Sequence, residues 1–498
     1  MSALSDAFIQ MMSFWPIFFL FLGTFLGITV GAIPGLTGSM LIALTLPLTF
    51  YMSPFNAVVL LVSMYVGSIS GGLITATLLR MPGTPSNVMT TFDGYPMARA
   101  GRPGRALGLG ITSSLVGGLI AAIALFTITK PLSIWATRFG PFEYFTLIMM
   151  AMVLIASVSQ GSLVKGLIAG LLGMIASMPG VDPSVGQLRL TFDMHIFNGG
   201  FKLLPVLIGV FAISQILRDC LQIKNAPEKA EVDMSGVLLS FSDLRRFFGN
   251  IFRSSLIGTW VGILPGIGAS IGSIIAYTTQ KNISKTPEEF GNGSEEGIVA
   301  SEAANNATVG GALVPLIAMG IPGSVIDAIL IGGLMIHSIQ PGPTLFITNG
   351  DIVYGMMISY LIANFVMWGM MTGMVRWIAK LMYLPRTFVL PVIMACCILG
   401  AFALDNTFFD IWVMLAFGVV GLLLELGRFP LGPFVIGFVL APLAEQKLRA
   451  GLMMTNGDPS PIVTTPLPLM FTIIALILLL IPLIQTARRN RMATPKAS

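Results

Sequence analysis

Charge is scarce in this chain. Only 10% of its 498 residues are Asp, Glu, Lys or Arg, against about 25% in a soluble domain. Nothing from Ala7 to Leu79 is charged, and no Lys or Arg occurs between Lys285 and Arg376. That excludes an ordinary soluble fold. Short alternating apolar segments are also missing, which excludes a transmembrane barrel. The three cysteines give no disulfide framework. Cys396 and Cys397 adjoin in an apolar stretch and Cys220 opens a charged loop, so all three read as small buried hydrophobes. His195 and His337, the two histidines, lie far apart without metal-ligand spacing. No Cys/His cluster, nucleophile elbow or phosphate loop is present, so a membrane enzyme has no constellation to rest on. The net charge of +5 comes from short Lys/Arg clusters between apolar runs. Such clusters mark membrane topology rather than nucleic-acid binding. No basic residue precedes the first apolar run, unlike a typical signal peptide.

What remains is apolar: 55% hydrophobic residues and a mean hydropathy of +0.88. Several runs exceed the roughly 20 residues that a bilayer requires. The expected fold is an all-α polytopic membrane protein. Spans are expected near residues 12–33, 40–52, 55–79, 106–129, 141–158, 162–178 and 201–217, then 254–279, 298–320, 322–338, 350–377, 387–404, 408–427, 429–445 and 465–485. Some are half-helices or hairpins, leaving roughly 11–15 membrane segments. The charged stretch between the two groups contains Lys224, Glu228, Lys229, Glu231, Asp233, Arg245 and Arg246. The resulting division is a first membrane repeat over 1–217, a cytoplasmic connector over 218–253, a second repeat over 254–445, and a final span with a cytoplasmic tail over 446–498. Asp182, Arg189, Asp193 and His195 share a stretch that reads as a solvated surface loop or a partner contact.

Two Pro-Gly breaks look like one element written twice. The first is Gly31-Ala32-Ile33-Pro34-Gly35-Leu36-Thr37-Gly38-Ser39; the second is Gly262-Ile263-Leu264-Pro265-Gly266-Ile267-Gly268-Ala269-Ser270. Each is followed by another break, at Pro82-Gly83 and Pro322-Gly323. Pro removes a helix hydrogen bond and Gly admits positive φ, so these segments unwind helices within apolar sequence. Unwound backbone at membrane depth survives only when buried in protein or lining a wet cavity. Kinked or closely packed helices would also carry Gly and Pro, but corresponding breaks in two halves point to a transporter's binding site.

Loop charges orient the halves. After the second break, the first half carries Arg99, Arg102 and Arg105, whereas residues 340–351 of the second half carry no Lys or Arg. After the first break the asymmetry reverses: residues 51–56 are uncharged, and 280–297 contain Lys281 and Lys285. By the positive-inside rule the halves insert upside down relative to each other, as inverted-topology repeats. Arg488, Arg489, Arg491 and Lys496 put the C-terminus in the cytoplasm.

Helix starts exposed by the breaks offer N–H groups and a positive dipole end to an anion, and exposed carbonyls suit a cation. Thr37, Ser39 and Ser270 serve either. Aligned on Pro-Gly, Asn87 falls opposite Asp327, although the pairs Gly71-Gly72 and Gly310-Gly311 shift that register by one residue. Asp327 is an acid inside apolar sequence, either functional or the partner of some cation. Arg80 flanks the other second break, as a site charge or an interfacial side chain reaching headgroups. In Glu302-Ala303-Ala304-Asn305-Asn306-Ala307-Thr308, Glu302 reads as a dipole-matched residue at a helix start. Asn305 and Asn306 offer amides to a carboxylate or sodium, or to a neighbouring helix.

Three stretches carry a family resemblance. They are Pro82 to Leu107, with Asp93-Gly94-Tyr95-Pro96-Met97-Ala98; Phe290 to Ala307, with Ser301-Glu302-Ala303-Ala304-Asn305-Asn306-Ala307; and Gly320 to Phe346, with His337-Ser338-Ile339-Gln340-Pro341-Gly342-Pro343. They resemble the large membrane subunit of tripartite tricarboxylate transporters, the TctA type. The resemblance implies a permease of the bacterial inner membrane. Its partners would be a small membrane subunit (TctB type) and a periplasmic solute-binding protein (TctC type). It would import di- or tricarboxylates with sodium or protons and need no cofactor. The resemblance implies the Pro-Gly segments, Ser86, Asn305, Asn306 and Ser324 as site positions; with the residues read above, the candidate substrate positions are Pro34, Gly35, Thr37, Gly38, Ser39, Arg80, Ser86, Asn87, Gly266, Ser270, Asn305, Asn306 and Ser324. Asp327, Asn305 and Thr37 are the candidates for the coupling cation, with sodium as the possible metal. Two residues depart from the family's pattern, which leads us to expect a neutral polar residue at Arg80 and a small neutral one at Asp327. The two charges would then compensate each other across the site. A trivalent anion entering against about 100 mV faces about 7 kcal/mol, so cotransported cations have work to do. Alternating access, in an elevator-like form, is the expected mechanism; a channel-like pore for small organic anions is the alternative class.

Overall fold

The computed structural model describes every residue except 1, 34–35, 159–161, 183–185, 222–235, 382–385, 404–405 and 494–498, and side chains are also undescribed at 2, 158, 381, 386–389 and 481–493. The expected connector residues Lys224 to Asp233 and the basic C-terminal side chains therefore lie outside the description. The long helices are α1 (Ser2–Met11), α2 (Phe14–Gly31), α3 (Gly38–Thr49), α4 (Pro54–Leu79), α5 (Val88–Arg99), α6 (Pro103–Ala136), α7 (Pro141–Val158), α8 (Leu163–Ala176) and α9 (Leu203–Leu221). They continue with α10 (Phe241–Ile263), α11 (Gly268–Ile283), α12 (Glu295–Met319), α13 (Val325–Ile336), α14 (Gly350–Leu381), α15 (Arg386–Ala403), α16 (Phe408–Leu426), α17 (Leu431–Met454) and α18 (Pro466–Ala493). Among the described residues, seven helices are long and apolar enough to cross a membrane, and shorter apolar helices accompany them. The chain is an all-α multi-pass membrane protein.

Two compact units divide the chain without following its linear order: residues 1–136 with 204–422, and residues 137–203 with 423–498. Residues 137–203 and 423–445, included above in the two repeats, belong to the second unit, and the helices that recur all lie in the first. The order α2–α3–α4–α5–α6 recurs as α10–α11–α12–α13–α14. The local signals recur too. Ser53 caps α4 and Ser294 caps α12. Each of these helices ends on a left-handed residue, Arg80 (φ 55°) and Gly320 (φ 72°). In each, the following amide reaches back to the last turn, Met81 to Thr75 and Ile321 to Pro315.

Glycine contacts fix the register of the repeat. A β-carbon on Gly27 would meet the backbone of Met64 and Ser68; one on Gly31 would meet Ser68 and Gly71. In the second half, Gly258 faces Ala304, and Gly262 faces Thr308 and Gly311. Gly71 therefore corresponds to Gly311, at the offset that aligns Pro82-Gly83 with Pro322-Gly323. The one-residue shift suggested by the glycine pairs is not present: Gly310 faces Ala121 and Tyr360 instead, because it packs against another helix.

The halves run in opposite directions. Along α4 towards its break, Tyr65 bonds to Ser324, Ser70 to Asn306, and Asn87 just beyond the break to Glu302. The partners descend from Ser324, just beyond the end of α12, to Asn306 and Glu302 within it as the α4 numbering rises, so these two equivalent helices are antiparallel. The last helix of each half packs on the central helix of the other, α6 on α12 through Gly117 against Ala303, and α14 on α4 through Gly355 against Phe55. Every residue of α4's most apolar stretch is buried, so both central helices are shielded by protein.

Helix α10 begins at Phe241, inside the stretch read as a connector. A capping box explains this: the Ser240 hydroxyl accepts from the Asp243 amide, and the Asp243 carboxylate accepts from the Ser240 amide. Asp243 also receives two 2.7 Å bonds from Arg105, which contacts Glu295 at 3.1 Å as well. The loop expected to carry the three arginines is largely helix: α5 runs to Arg99, and Arg105 is in the first turn of α6. The guanidinium holds the Asp243 carboxyl well below the usual carboxylate range. A depressed folded-state value means that this stabilisation is present above the unfolded value, near pH 4, and is lost as pH falls. Asp243→Asn is expected to cost about 1–2 kcal/mol at neutral pH. In thermal unfolding series, the deficit should narrow progressively below pH 4.

In the second unit, α8 packs on α17 through Gly173 against Phe434. The segment between α8 and α9 is not simply a solvated loop. It forms a hairpin of β1 (Gly180–Val181) and β2 (Leu188–Arg189) in antiparallel register. Arg189 reaches Glu445 of α17 at 2.6 Å and Asp182 at 3.3 Å, while Arg449 reaches the same two acids at 2.6 and 2.8 Å. Asp182 is consequently only 5% exposed. Sequence distance hid this, because Glu445 and Arg449 lie some 250 residues from the hairpin.

Candidate functional site

Within each half the two breaks touch. Gly83 lies against the Gly31 carbonyl, and Gly323 against the Gly262 carbonyl and Ala312. Pro34 and Gly35 fall outside the described residues. Gly266 (φ 76°) and Gly268 (φ 70°) adopt left-handed conformations that let the chain turn between α10 and α11.

Helix starts from opposite halves then come together. The Thr37 hydroxyl caps α3 by accepting from the Met40 amide at 3.2 Å, and it lies 3.0 Å from the Ser39 hydroxyl. Ser324 caps α13 through the Asp327 amide at 3.3 Å and contacts the Tyr65 hydroxyl at 2.9 Å. Gly38 lies against Ser68 and Ile326, so the starts of α3 and α13 are neighbours. In the equivalent pair, the Pro85–Asn87 turn leading into α5 packs on α11, whose first turn contains Ser270. Thr37, Ser39, Ser270 and Ser324 are half-buried, whereas Ser86, Asn87, Asn305, Asn306 and Asp327 are buried. Converging helix starts concentrate unpaired N–H groups and positive dipole ends, an arrangement suited to an anion.

Behind the half-buried hydroxyls lies a polar core. Thr84 contacts Ser86 at 2.6 Å and donates to the Asn87 side-chain oxygen Oδ1 at 2.5 Å. Asn87 donates to Glu302 Oε1 at 3.0 Å, Thr90 donates to the same oxygen, and Ser114 donates to Oε2 at 3.4 Å. Glu302 is fully buried, two turns inside α12 rather than at its start. The Ser294 cap starts the helix earlier than the apolar pattern suggested, and Glu295 and Glu296 occupy the first turn. Burying a lone carboxylate costs several kcal/mol; donors to a charged group return about 1.5–3 kcal/mol each, so Glu302 is largely compensated. Asn306 exchanges bonds of 2.8 and 3.1 Å with Ser70 at the α4–α12 crossing, and Tyr360 donates to its carbonyl at 3.0 Å. The structure thus gives Asn306 a helix–helix bond. Asn305 is in range of the Glu302 carboxylate, but neither amide atom makes a hydrogen bond of good geometry.

Asp327 is wholly buried beside Ser324 and Tyr65; the Ser324 hydroxyl and amide lie in range of its carboxylate, but neither oxygen accepts a hydrogen bond of good geometry. Arg80 does not compensate it. Arg80 is exposed, and its guanidinium lies 5.8 Å from the centre of the Tyr95 ring. The antiparallel run of α4 and α12 puts the two second breaks towards opposite ends of the helix pair, which separates these charges. Arg80 also holds a left-handed conformation, costing a non-glycine residue about 1–2 kcal/mol. Arg80→Gly is therefore expected to raise stability by about 1 kcal/mol, seen as a higher unfolding midpoint, while Arg80→Ala leaves the strain in place.

Sequence reasoning missed Tyr65, Thr90, Ser114 and the central place of Glu302. The available signal was an acid inside a helix whose other face is continuous Ala, Gly and Val. The hydroxyls carry no such signal, since Ser and Thr are common throughout these helices.

The profile of the family described as "Tripartite tricarboxylate transporter TctA family" matches residues 17–436. The chain is 33% identical over 472 residues to an uncharacterized 52.8 kDa protein in the TAR-I ttuC' 3'region of Agrobacterium vitis, covering 95% of this chain and 94% of that protein. A second protein of that organism, from the TAR-II ttuC' 3'region, is 30% identical over 235 residues, covering 47% of this chain and 97% of the relative. No solved structure matches.

Proposed function

The chain belongs to the tripartite tricarboxylate transporter TctA family, and from that premise we propose how this membrane subunit of a tricarboxylate transporter, which is not an enzyme, does its work. It imports di- or tricarboxylates across the bacterial inner membrane by symport with sodium or protons. A small membrane subunit of TctB type stands beside it, and a periplasmic binding protein of TctC type delivers the substrate. Its C-terminus faces the cytoplasm.

The convergence of helix starts from two antiparallel halves supports this reading most strongly. Few cationic side chains line the breaks, so backbone N–H groups and the hydroxyls of Thr37, Ser39, Ser270 and Ser324 hold the carboxylates. Gly38 lets the start of α3 pack against Ser68 and Ile326, Gly266 lets the chain turn beside the substrate, and Ser86 and Asn87 stand behind. A cation held at a buried carboxylate offsets the substrate's charge during transit. The bundle carrying both repeats then moves against a scaffold in an elevator-like alternation.

Uptake of labelled carboxylates by proteoliposomes containing both membrane subunits tests this. With binding protein and an inward sodium or proton gradient, uptake should be saturable and exceed the no-gradient control at least tenfold. Equal uptake without gradient or binding protein would refute symport and leave a channel-like pore.

A further inference from the structure

We infer that Glu302 and Asn305 form a sodium site, with Thr90 and Ser114 completing its oxygen shell; this deepens the symport reading and rests on it for its purpose. Glu302 and Asn305 are three residues apart on α12, so they share a helix face. Among the described residues, Glu302 is the acid that Asn87, Thr90 and Ser114 bond to, and no Lys or Arg forms an ion pair with it. Asn87, Thr90 and Ser114 fix its carboxylate from two other helical elements. A hydroxyl that donates its proton to the carboxylate keeps lone pairs for a cation. A hard cation prefers such oxygens.

Asn305 supplies the second observation. Its side chain is fully buried and in range of Glu302; its nitrogen acts on that carboxylate as a donor of poor geometry, and its oxygen has no partner. Buried amides in packing networks are nearly always bonded. Hydrogen-bond donors stabilise the Glu302 carboxylate without cancelling its charge, and an open amide oxygen within reach is explained by a cation bound to both. Asp327 fits less well, because its neighbours Ser324 and Tyr65 provide hydroxyls but no open amide oxygen. The Glu302 centre also joins the second break of one half, through Asn87, to the central helix of the other. An ion bound there would link both halves at the substrate site.

Purified full-length protein in detergent, titrated with sodium chloride against choline chloride at constant ionic strength, provides the test. Thermal unfolding and binding of radioactive sodium are read in parallel. Sodium should raise the wild-type midpoint. Glu302→Gln should abolish the response. Asn305→Ala removes a buried side chain and a poorly aligned contact to Glu302, so it should still fold with a cooperative transition in choline while its half-saturating sodium rises at least tenfold. Asp327→Asn should titrate like wild type. A wild type indifferent to sodium, or an Asn305→Ala protein that titrates normally, overturns the assignment, as does loss of sodium binding only in Asp327→Asn. No carboxylate or gradient enters this experiment, so its failure is distinct from failure of the transport reading.

Discussion

Asp93→Ala is expected to prevent accumulation of folded protein. Asp93 is fully buried in α5. One of its oxygens accepts from three backbone amides, those of Gly291, Gly293 and Ser294, at 2.8, 3.0 and 2.9 Å. These amides immediately precede α12, so one carboxylate ties the second break of the first half to the start of the other half's central helix. Removing it strands the buried Ser294 amide and the half-buried Gly293 amide, and frees that of exposed Gly291. At about 1.5–3 kcal/mol per bond to a charged acceptor, the loss is on the order of 5 kcal/mol, comparable to the stability of a typical domain. Asp93→Asn keeps an acceptor oxygen and should lose less than half as much. Detergent-solubilised yield and unfolding midpoint report both; a wild-type midpoint for Asp93→Ala would contradict this account of the bond.

Gly262→Val is expected to be as damaging, and Gly31→Val to match it. Each glycine lies where a β-carbon would run into backbone of the paired helix, at Gly311 in one half and Ser68 and Gly71 in the other. Backbone cannot move aside as a side-chain rotamer can. Overpacking costs about 1–3 kcal/mol where side chains yield, and more where they do not. Both carbonyls also abut the second break of their own half, so separating the helices opens the site as well. Matching losses of folded yield in the two variants would reflect the repeat. A tolerated valine at either position would show that the helices do not approach this closely.

How legible this was depended on the kind of signal. The long uncharged run from Ala7 to Leu79 sufficed for the fold class, because a bilayer tolerates few alternatives. Pro-Gly pairs marked the breaks through backbone chemistry alone. Charge asymmetry in the loops read as inversion, and the antiparallel pairing of Tyr65, Ser70 and Asn87 with α12 agrees with it. Contacts between distant segments were not legible. The Gly71-Gly72 pair suggested a false register because Gly310 serves a different neighbour. Glu302 looked like a helix start because its true start, at Glu295, is hidden in a polar loop. Arg80 and Asp327 looked like a compensating pair because equivalent positions in inverted halves invite that reading. Inversion instead sends them to opposite ends.

The central claim is that helix starts from both halves hold one carboxylate. Ser39→Cys and Ser270→Cys, made separately in a background lacking Cys220, Cys396 and Cys397, would report on it directly through their rates of reaction with a membrane-permeant thiol reagent. Both positions are half-buried and stand at the starts of α3 and α11. The account requires a saturating carboxylate substrate to slow modification severalfold at both cysteines. Protection at only one of them, or at neither, would contradict a site shared by the two halves.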